Sequence, residues 1–139
     1  MSFRIEYSDT PDYLHVMVTG DNTRENVEAY LKDVLEYCRR KSLEYVLIEE
    51  RLDGDRLGLM DVFAIASEGS LQALGCFEAV AYVEPRMGDF GEFAETVAIS
   101  RGMPVAVFDS VEHAAEWLRA RRAESSGKYI FIKDDGQQR

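Results

Sequence analysis

The sequence predicts an α/β fold in which a mixed β-sheet packs against helices. Two runs near the N-terminus alternate apolar and polar residues around a cluster of turn formers, which is typical of an antiparallel hairpin. Three later runs, Tyr45–Ile48, Ala79–Val83 and Val105–Phe108, are apolar on both faces, as in parallel strands covered by helices. The segments around them repeat apolar residues at helical spacing. The predicted element order is therefore β-β-α-β-α-β-α-β-α.

The first half of the chain is predicted from the hairpin onward. Its strands span residues 3–7 and 13–19, with the turn Ser8–Asp12 between them. Either Asn22 with Glu25, or Thr23 with Asn26, can cap the first helix. That helix runs to about residue 41, and its apolar stripe consists of Val27, Tyr30, Leu31, Val34, Leu35 and Cys38.

Three more helices follow from glycine positions and apolar spacing. The second begins near Gly58 and stops at Gly75, and the third ends at Gly102. The fourth begins after residue 110, capped either by Asp109 with Glu112 or by Ser110. Each lies between or after the apolar runs, so the helices are expected to cover the sheet.

The end of the chain is predicted to leave the domain. Residues 1–123 are expected to form a single domain, and Glu124–Gly127 a connector. Residues 128–133 contain the apolar run Tyr129–Ile132, which predicts a further strand. This C-terminal edge strand would pair with an exposed sheet edge, either of its own chain or of a second copy.

Composition and charge exclude several partner classes. The chain has 139 residues, which fits one domain, and a formal net charge of −10. Such an acidic protein lacks the cationic footprint that nucleic acids and anionic membranes require. We expect a cytoplasmic protein without integral membrane association, because no secretory signal or membrane-spanning run is found. Cys38 and Cys76 belong to no cysteine motif and are expected to pack as thiols.

The run F-D-S-V-E-H-A-A-E-W-L at Phe108–Leu118, together with the element order, carries a resemblance to a known family. The chain resembles the SpoIIAA-like branch of the STAS superfamily, sometimes described as STAS/SEC14-like, over roughly residues 3–120. Members close with a strand and a helix of the form x-x-E-x-A-x-x-W-L, matched here by Glu112, Ala114, Trp117 and Leu118. The resemblance implies a SpoIIAA/STAS-like mixed sheet with helices packed on it.

The same resemblance implies a partner-facing turn after the third strand. In the superfamily's anti-sigma-factor antagonists this turn reads D-S-S-G-L or similar, and a serine at the helix start is phosphorylated to switch partner binding. Here Arg56 and Leu57 replace both hydroxyl residues, so the phosphorylatable serine is lacking. The partner-binding surface is then expected at six positions: Asp53, Asp55, Arg56, Leu57, Gly58 and Met60.

Other candidate sites have structural interpretations. The acidic residues Glu49, Glu50, Asp53 and Asp55 could hold a divalent cation, but their spacing matches no metal loop, and a solvated turn is favoured. His15 is interpreted as a half-buried sheet residue and His113 as a surface residue. The glycines at 54, 58, 88 and 91 lack the companions of a phosphate or dinucleotide site. No catalytic residue, metal ligand or cofactor is predicted.

Two functions follow. The leading hypothesis is a non-enzymatic cytoplasmic regulatory module that binds a protein partner and forms a homodimer. The alternative is a carrier or sensor of a small apolar, lipid-like molecule. Its pocket would lie between the second and third helices and be lined by Phe63, Met87, Phe90 and Phe93.

Overall fold

The computed structural model describes residues 2–134, and the side chains of residues 2–125. The α/β order predicted from the sequence is confirmed. The elements are β1 (Phe3–Asp9), β2 (Leu14–Asp21), α1 (Arg24–Lys41), β3 (Tyr45–Asp53), α2 (Leu59–Ala73), β4 (Ala79–Val83), α3 (Asp89–Ser100), β5 (Val105–Phe108) and α4 (Val111–Asp134), with one turn of 3₁₀ helix at Pro85–Met87.

The five strands form one mixed sheet in the order β1-β2-β3-β4-β5. β1 is antiparallel to β2, and every later pair is parallel. In register, Val16 lies beside Ile48, and Ile48 lies beside Tyr82. The carboxyl ends of β2, β3, β4 and β5 consequently meet at one edge of the sheet, where open α/β folds usually hold their ligands.

The helices divide unequally between the two faces of the sheet. α1, α2 and α3 pack side by side on one face, over the larger core. Its buried centre includes Leu14, Val16, Val46, Ile48, Val27, Tyr30 and Val34. Of the helices within residues 2–134, only α4 packs on the other face, against β3, β4 and β5, where Ala114 and Leu118 meet Leu47 and Ala81.

Side-chain caps fix where two of the helices begin. Thr23 Oγ1 accepts a hydrogen bond from the backbone N–H of Asn26 (3.1 Å), which selects Thr23 over Asn22 as the cap of α1. Ser110 Oγ accepts from the backbone N–H of His113 (3.2 Å) and caps α4. In each case one of the two capping arrangements left open by the sequence is formed.

β3 is longer than its apolar run predicts. The strand continues past Ile48 to Asp53, and its parallel pairing with β2 extends to the pair Asp21 and Asp53. Glu49 and Glu50 therefore lie within a buried strand, and the prediction that they belong to a solvated turn is wrong. Hydrogen-bonding partners for both carboxylates, described below, make their burial tolerable.

The predicted connector at 124–127 and strand at 128–133 are also wrong. The backbone of α4 continues through both segments to Asp134. Two serines and one glycine cost a helix only about 1 kcal/mol or less each, so they need not end one that is already propagating. Within residues 2–134, no helix combines the length and apolar character that crossing a membrane requires.

Candidate functional site

A cavity of about 190 Å³ lies between the sheet and the inner faces of α1, α2 and α3. Apolar side chains form most of its wall, including Leu31, Val34, Val62, Ile65, Phe77, Val80, Ala98 and Met103. On α2, the small residues Ala66, Gly69 and Ser70 face this space. Because they carry little or no side chain, the helix packs over the sheet without filling the room beneath it. Such concave, mostly apolar spaces are where small ligands bind.

Four of the polar residues in the cavity lining lie close together and are called the polar end here: Glu50, Tyr82, Glu84 and Arg86. Glu50 projects from β3, Tyr82 from β4, and the other two follow β4 directly. These positions lie toward the carboxyl edge of the parallel strands. The cavity therefore joins an apolar body to a small group of charged and hydroxyl side chains.

Glu50 sits between two tyrosine hydroxyls. Tyr30 and Tyr82 both donate hydrogen bonds to Glu50 Oε2, and their hydroxyl oxygens lie 2.6 Å apart. The Glu50 residue is only 6% exposed. Burial raises its pKa, and the two tyrosine hydrogen bonds work against that rise. Burial, together with the Glu50 charge, raises the pKa of both tyrosines well above 10, so their hydroxyls remain donors.

Glu84 and Arg86 fasten the polar end to the neighbouring loop. One carboxylate oxygen of Glu84 accepts from the backbone N–H of Arg86 (2.5 Å) and lies 3.5 Å from Arg86 Nε. Arg86 also donates to the carbonyls of Leu52 and Gly54, each at 2.7 Å. All three guanidinium nitrogens of Arg86 thus have a protein partner.

Residues 54–58, the mouth loop, cross one end of the cavity. The Arg56 guanidinium lies over the Phe90 ring, 4.2 Å from its centroid, and Nη1 donates to the carbonyl of Met87 (3.1 Å). The Asn22 side chain donates to the carbonyl of Asp55 (2.9 Å). Arg56 and Leu57 themselves line the cavity. The mouth loop is thus tied to both sides of the opening.

The six residues predicted to bind a partner lie in and beside this loop. Five of them are exposed: Asp53, Asp55, Arg56, Gly58 and Met60. Met60 is the most exposed large apolar side chain among them, at 78% solvent exposure. Leu57 differs, because it is half-buried and turned into the cavity. Gly58 caps α2 without a side-chain hydrogen bond, so the loop meets the helix start as the sequence predicts.

The four residues predicted to line an apolar pocket separate into two pairs. Met87 and Phe90 line the cavity. Phe63 and Phe93 lie outside its lining and pack against each other, with ring centroids 6.3 Å apart. Arg101 lies over the Phe63 ring, 5.7 Å from its centroid. The cavity is bounded by α1 and the sheet as well as by α2 and α3, so it is deeper than a pocket between two helices.

The acidic residues considered for a cation do not converge. Glu49 and Glu50 are consecutive in β3 and face opposite sides of the sheet. On the α4 side, Glu49 lies 2.9 Å from His15 Nε2 and 2.5 Å from Arg51 Nη2. His15 is half-buried in the sheet and His113 is exposed, as predicted. In the part of the chain that the structure describes, no three metal-ligating side chains come together.

Sequence reasoning missed the polar end of the cavity. The sequence pattern predicts Tyr30 in the apolar stripe of α1 and Tyr82 in a buried strand, and both lie there. A signal was present, because Tyr30 and Tyr82 each bring a hydroxyl into an apolar pattern, and a buried hydroxyl requires a hydrogen-bonding partner. The partner, Glu50, was hidden by its assignment to a turn.

Comparison with known proteins establishes the fold. No protein-family model matches the sequence, and no curated protein matches it. A solved structure does match, that of an uncharacterised protein of the DUF3478 family with a SpoIIAA-like fold, from Shewanella loihica PV-4. The match has a TM-score of 0.53 and 20% sequence identity, and covers 84% of this chain and 93% of the other. This chain has a SpoIIAA-like fold.

The SpoIIAA-like fold confirms the architecture that the Phe108–Leu118 motif implied. At 20% identity, the likeness concerns the fold alone.

Proposed function

We propose that this SpoIIAA-like protein is a non-catalytic binding module whose cavity takes a small apolar molecule. The observation that carries the proposal is the cavity itself, about 190 Å³ in volume and walled mainly by apolar side chains. An engineered apolar cavity of about 150 Å³ in another protein is large enough to bind benzene. The space here therefore suits a ligand with a benzene-sized body and a short polar substituent.

The chemistry of the polar end favours holding a ligand over transforming it. The raised pKa values of Tyr30 and Tyr82 keep both hydroxyls protonated, which makes them poor general bases. Arg86 is held by Glu84 and by two backbone carbonyls. These contacts fix the shape of the polar end beside which a bound molecule lies, and the mouth loop covers that molecule.

Filling the cavity tests the proposal. Ala66 lines the cavity, and Ala64, on the same helix and also half-buried, does not. We expect toluene to cause saturable amide shifts around the cavity in ¹H–¹⁵N NMR spectra of the wild type and of Ala64→Leu. Ala66→Leu should lose this response, because the added carbons occupy the ligand's space. Absence of saturable binding of both toluene and benzyl alcohol in the wild type, or equal binding in both variants, would overturn the proposal.

A second candidate function rests on the exposed apolar face of α2. Met60, Leu71 and Leu74 are 78%, 66% and 54% exposed, and helical spacing places them on one side with Phe63. Such a surface next to the mouth loop fits a protein partner or a second copy of the chain. We propose that it transmits the state of the cavity, which would make the protein a regulatory module.

Sedimentation and partner capture test this surface. Paired changes Met60→Ser and Leu71→Ser should lower the oligomeric mass, or abolish retention of a partner that the wild type retains. The exposed pair Glu112→Ser and Glu116→Ser on α4 serves as a control on the opposite face of the sheet. If the α2 changes alter neither the oligomeric mass nor the proteins retained, this surface is not a binding surface.

A further inference from the structure

The geometry points to the kind of polar group that the ligand carries: we infer that the cavity selects an apolar molecule ending in a hydrogen-bond donor, a hydroxyl or an ammonium, which binds Glu50. This inference rests on the proposed binding function and goes further by naming the chemistry of the ligand. It excludes fatty acids and other carboxylates, which the lipid-like alternative would include.

The first observation is the uneven use of the two Glu50 oxygens. Both tyrosine hydroxyls donate to Oε2. Among the side chains described, and the backbone of residues 2–134, no group bonds Oε1. Glu50 is 6% exposed and lines the cavity, so its carboxylate, with Oε1 unbonded, is buried beside an apolar space. Buried polar atoms are nearly always hydrogen-bonded in folded proteins, and a ligand donor would complete this one.

The second observation is the balance of charge at the polar end. Glu84, also 6% exposed, is a second carboxylate there, and it raises the pKa of Glu50 through charge repulsion. The positive charge of Arg86 acts on Glu50, but its three nitrogens already have partners. A ligand carboxylate at Glu50 would add a third negative charge, and Arg86 has no free nitrogen to meet it. A donor group relieves the same repulsion.

The third observation separates this site from an ordinary buried glutamate. Glu49, the neighbouring residue, is equally buried, and both of its oxygens are used, one by His15 and the other by Arg51. The two carboxylates differ in that only Glu50 has an oxygen without a protein partner and borders a cavity. Glu49→Gln is therefore a matched control that removes a buried carboxylate on the other face of the sheet.

Four probes that share one ring and differ in the substituent test the inference. Toluene has no polar group, benzyl alcohol carries a neutral donor, benzylamine carries an ammonium, and benzoate carries a carboxylate. We expect benzyl alcohol or benzylamine to bind the full-length protein at least tenfold more tightly than toluene, and benzoate to bind more weakly than toluene, as measured by NMR titration near neutral pH. The stronger of the two donor probes identifies which donor the site takes.

The Glu50→Gln variant should bind the preferred donor probe about tenfold more weakly than the wild type does, while its affinity for toluene should change by less than twofold. Glu49→Gln should leave the affinities for all four probes unchanged. Benzoate or toluene binding as tightly as the donor probes overturns the inference but leaves the binding function standing. Failure of all four probes to bind overturns the binding function as well. If Glu50→Gln does not fold, the ranking of the four probes on the wild type decides alone.

Discussion

Arg56 and Phe90 stack across the opening of the cavity, with the guanidinium carbon 4.2 Å from the ring centroid. The contact links the mouth loop to the first turn of α3 and is reinforced by the bond from Arg56 to the Met87 carbonyl. A cation over an aromatic ring contributes about 0.5–1 kcal/mol at exposed sites. This contact is weak enough to break and reform, as the proposed binding of a ligand would require.

Arg56→Ala should therefore loosen the mouth loop. We expect amide hydrogen exchange at residues 54–58 to become several-fold faster, because about 1 kcal/mol of local stability is lost. Arg40→Ala, which removes a guanidinium from above the Tyr37 ring at 5.7 Å on α1, is the control and should leave this exchange unchanged. Unaltered exchange in Arg56→Ala would show that the stacking does not hold the loop.

Removing one hydroxyl from the polar end should destabilise the fold. In Tyr82→Phe, Glu50 loses one of its two donors while remaining buried, which costs about 1–3 kcal/mol. Urea unfolding at neutral pH measures this loss. Tyr13→Phe, on the other face of the sheet, should lie within about 0.5 kcal/mol of the wild type. A Tyr82→Phe variant as stable as wild type would mean that Glu50 does not depend on this bond.

Glu50 should make stability depend on pH. Burial raises the pKa of Glu50 in the folded state above the ordinary value of 4.5. Its contribution to folding stability is therefore fully present below pH 4.5 and is lost as pH rises from 4.5 through the folded-state pKa. The free energy of unfolding of Glu50→Gln, relative to wild type, should therefore increase as pH rises above about 4.5. Urea titrations at several pH values give this difference, and a constant difference would contradict the prediction.

Two helical glycines should respond oppositely to alanine. A Cβ at Gly69, within α2, would meet no atom within 4 Å, so Gly69→Ala should stabilise the protein by about 0.5–1 kcal/mol. A Cβ at Gly91, in α3, would lie 3.0 Å from Val107 Cγ1, so Gly91→Ala should bring no gain and lower the melting temperature. Thermal unfolding of both variants checks the pair, and equal shifts would refute the argument.

The sequence predicted the elements better than it predicted the site, for a physical reason. The predicted bounds of β4 and β5 equal the observed ones, because a short apolar run between turn-forming residues is a local feature of the sequence. The buried position of Glu50 could not be read the same way. It depends on Tyr30 and Tyr82, which lie 20 and 32 residues away in the chain and meet Glu50 only through tertiary packing.

The mouth loop shows an intermediate case. Its place before α2 follows from Gly58 and the spacing after β3, and both were visible in the sequence. The contacts of Arg56 with Phe90 and Met87 join segments about 30 residues apart, which periodicity does not reveal. The extension of α4 was missed because the apolar run Tyr129–Ile132 suits either a strand or a helix.

Consecutive carboxylates in the central strand also constrain how the sheet can assemble. A slip of β3 by one residue would exchange its two faces. Glu49 would then enter the core beneath α1, and Glu50 would leave its two tyrosines for the side covered by α4. Each misplacement would leave a buried charge without its partners, which typically costs several kcal/mol. The pair therefore penalises misaligned assembly, so that Glu50, which lines the cavity, also helps to select a single alignment of the strand.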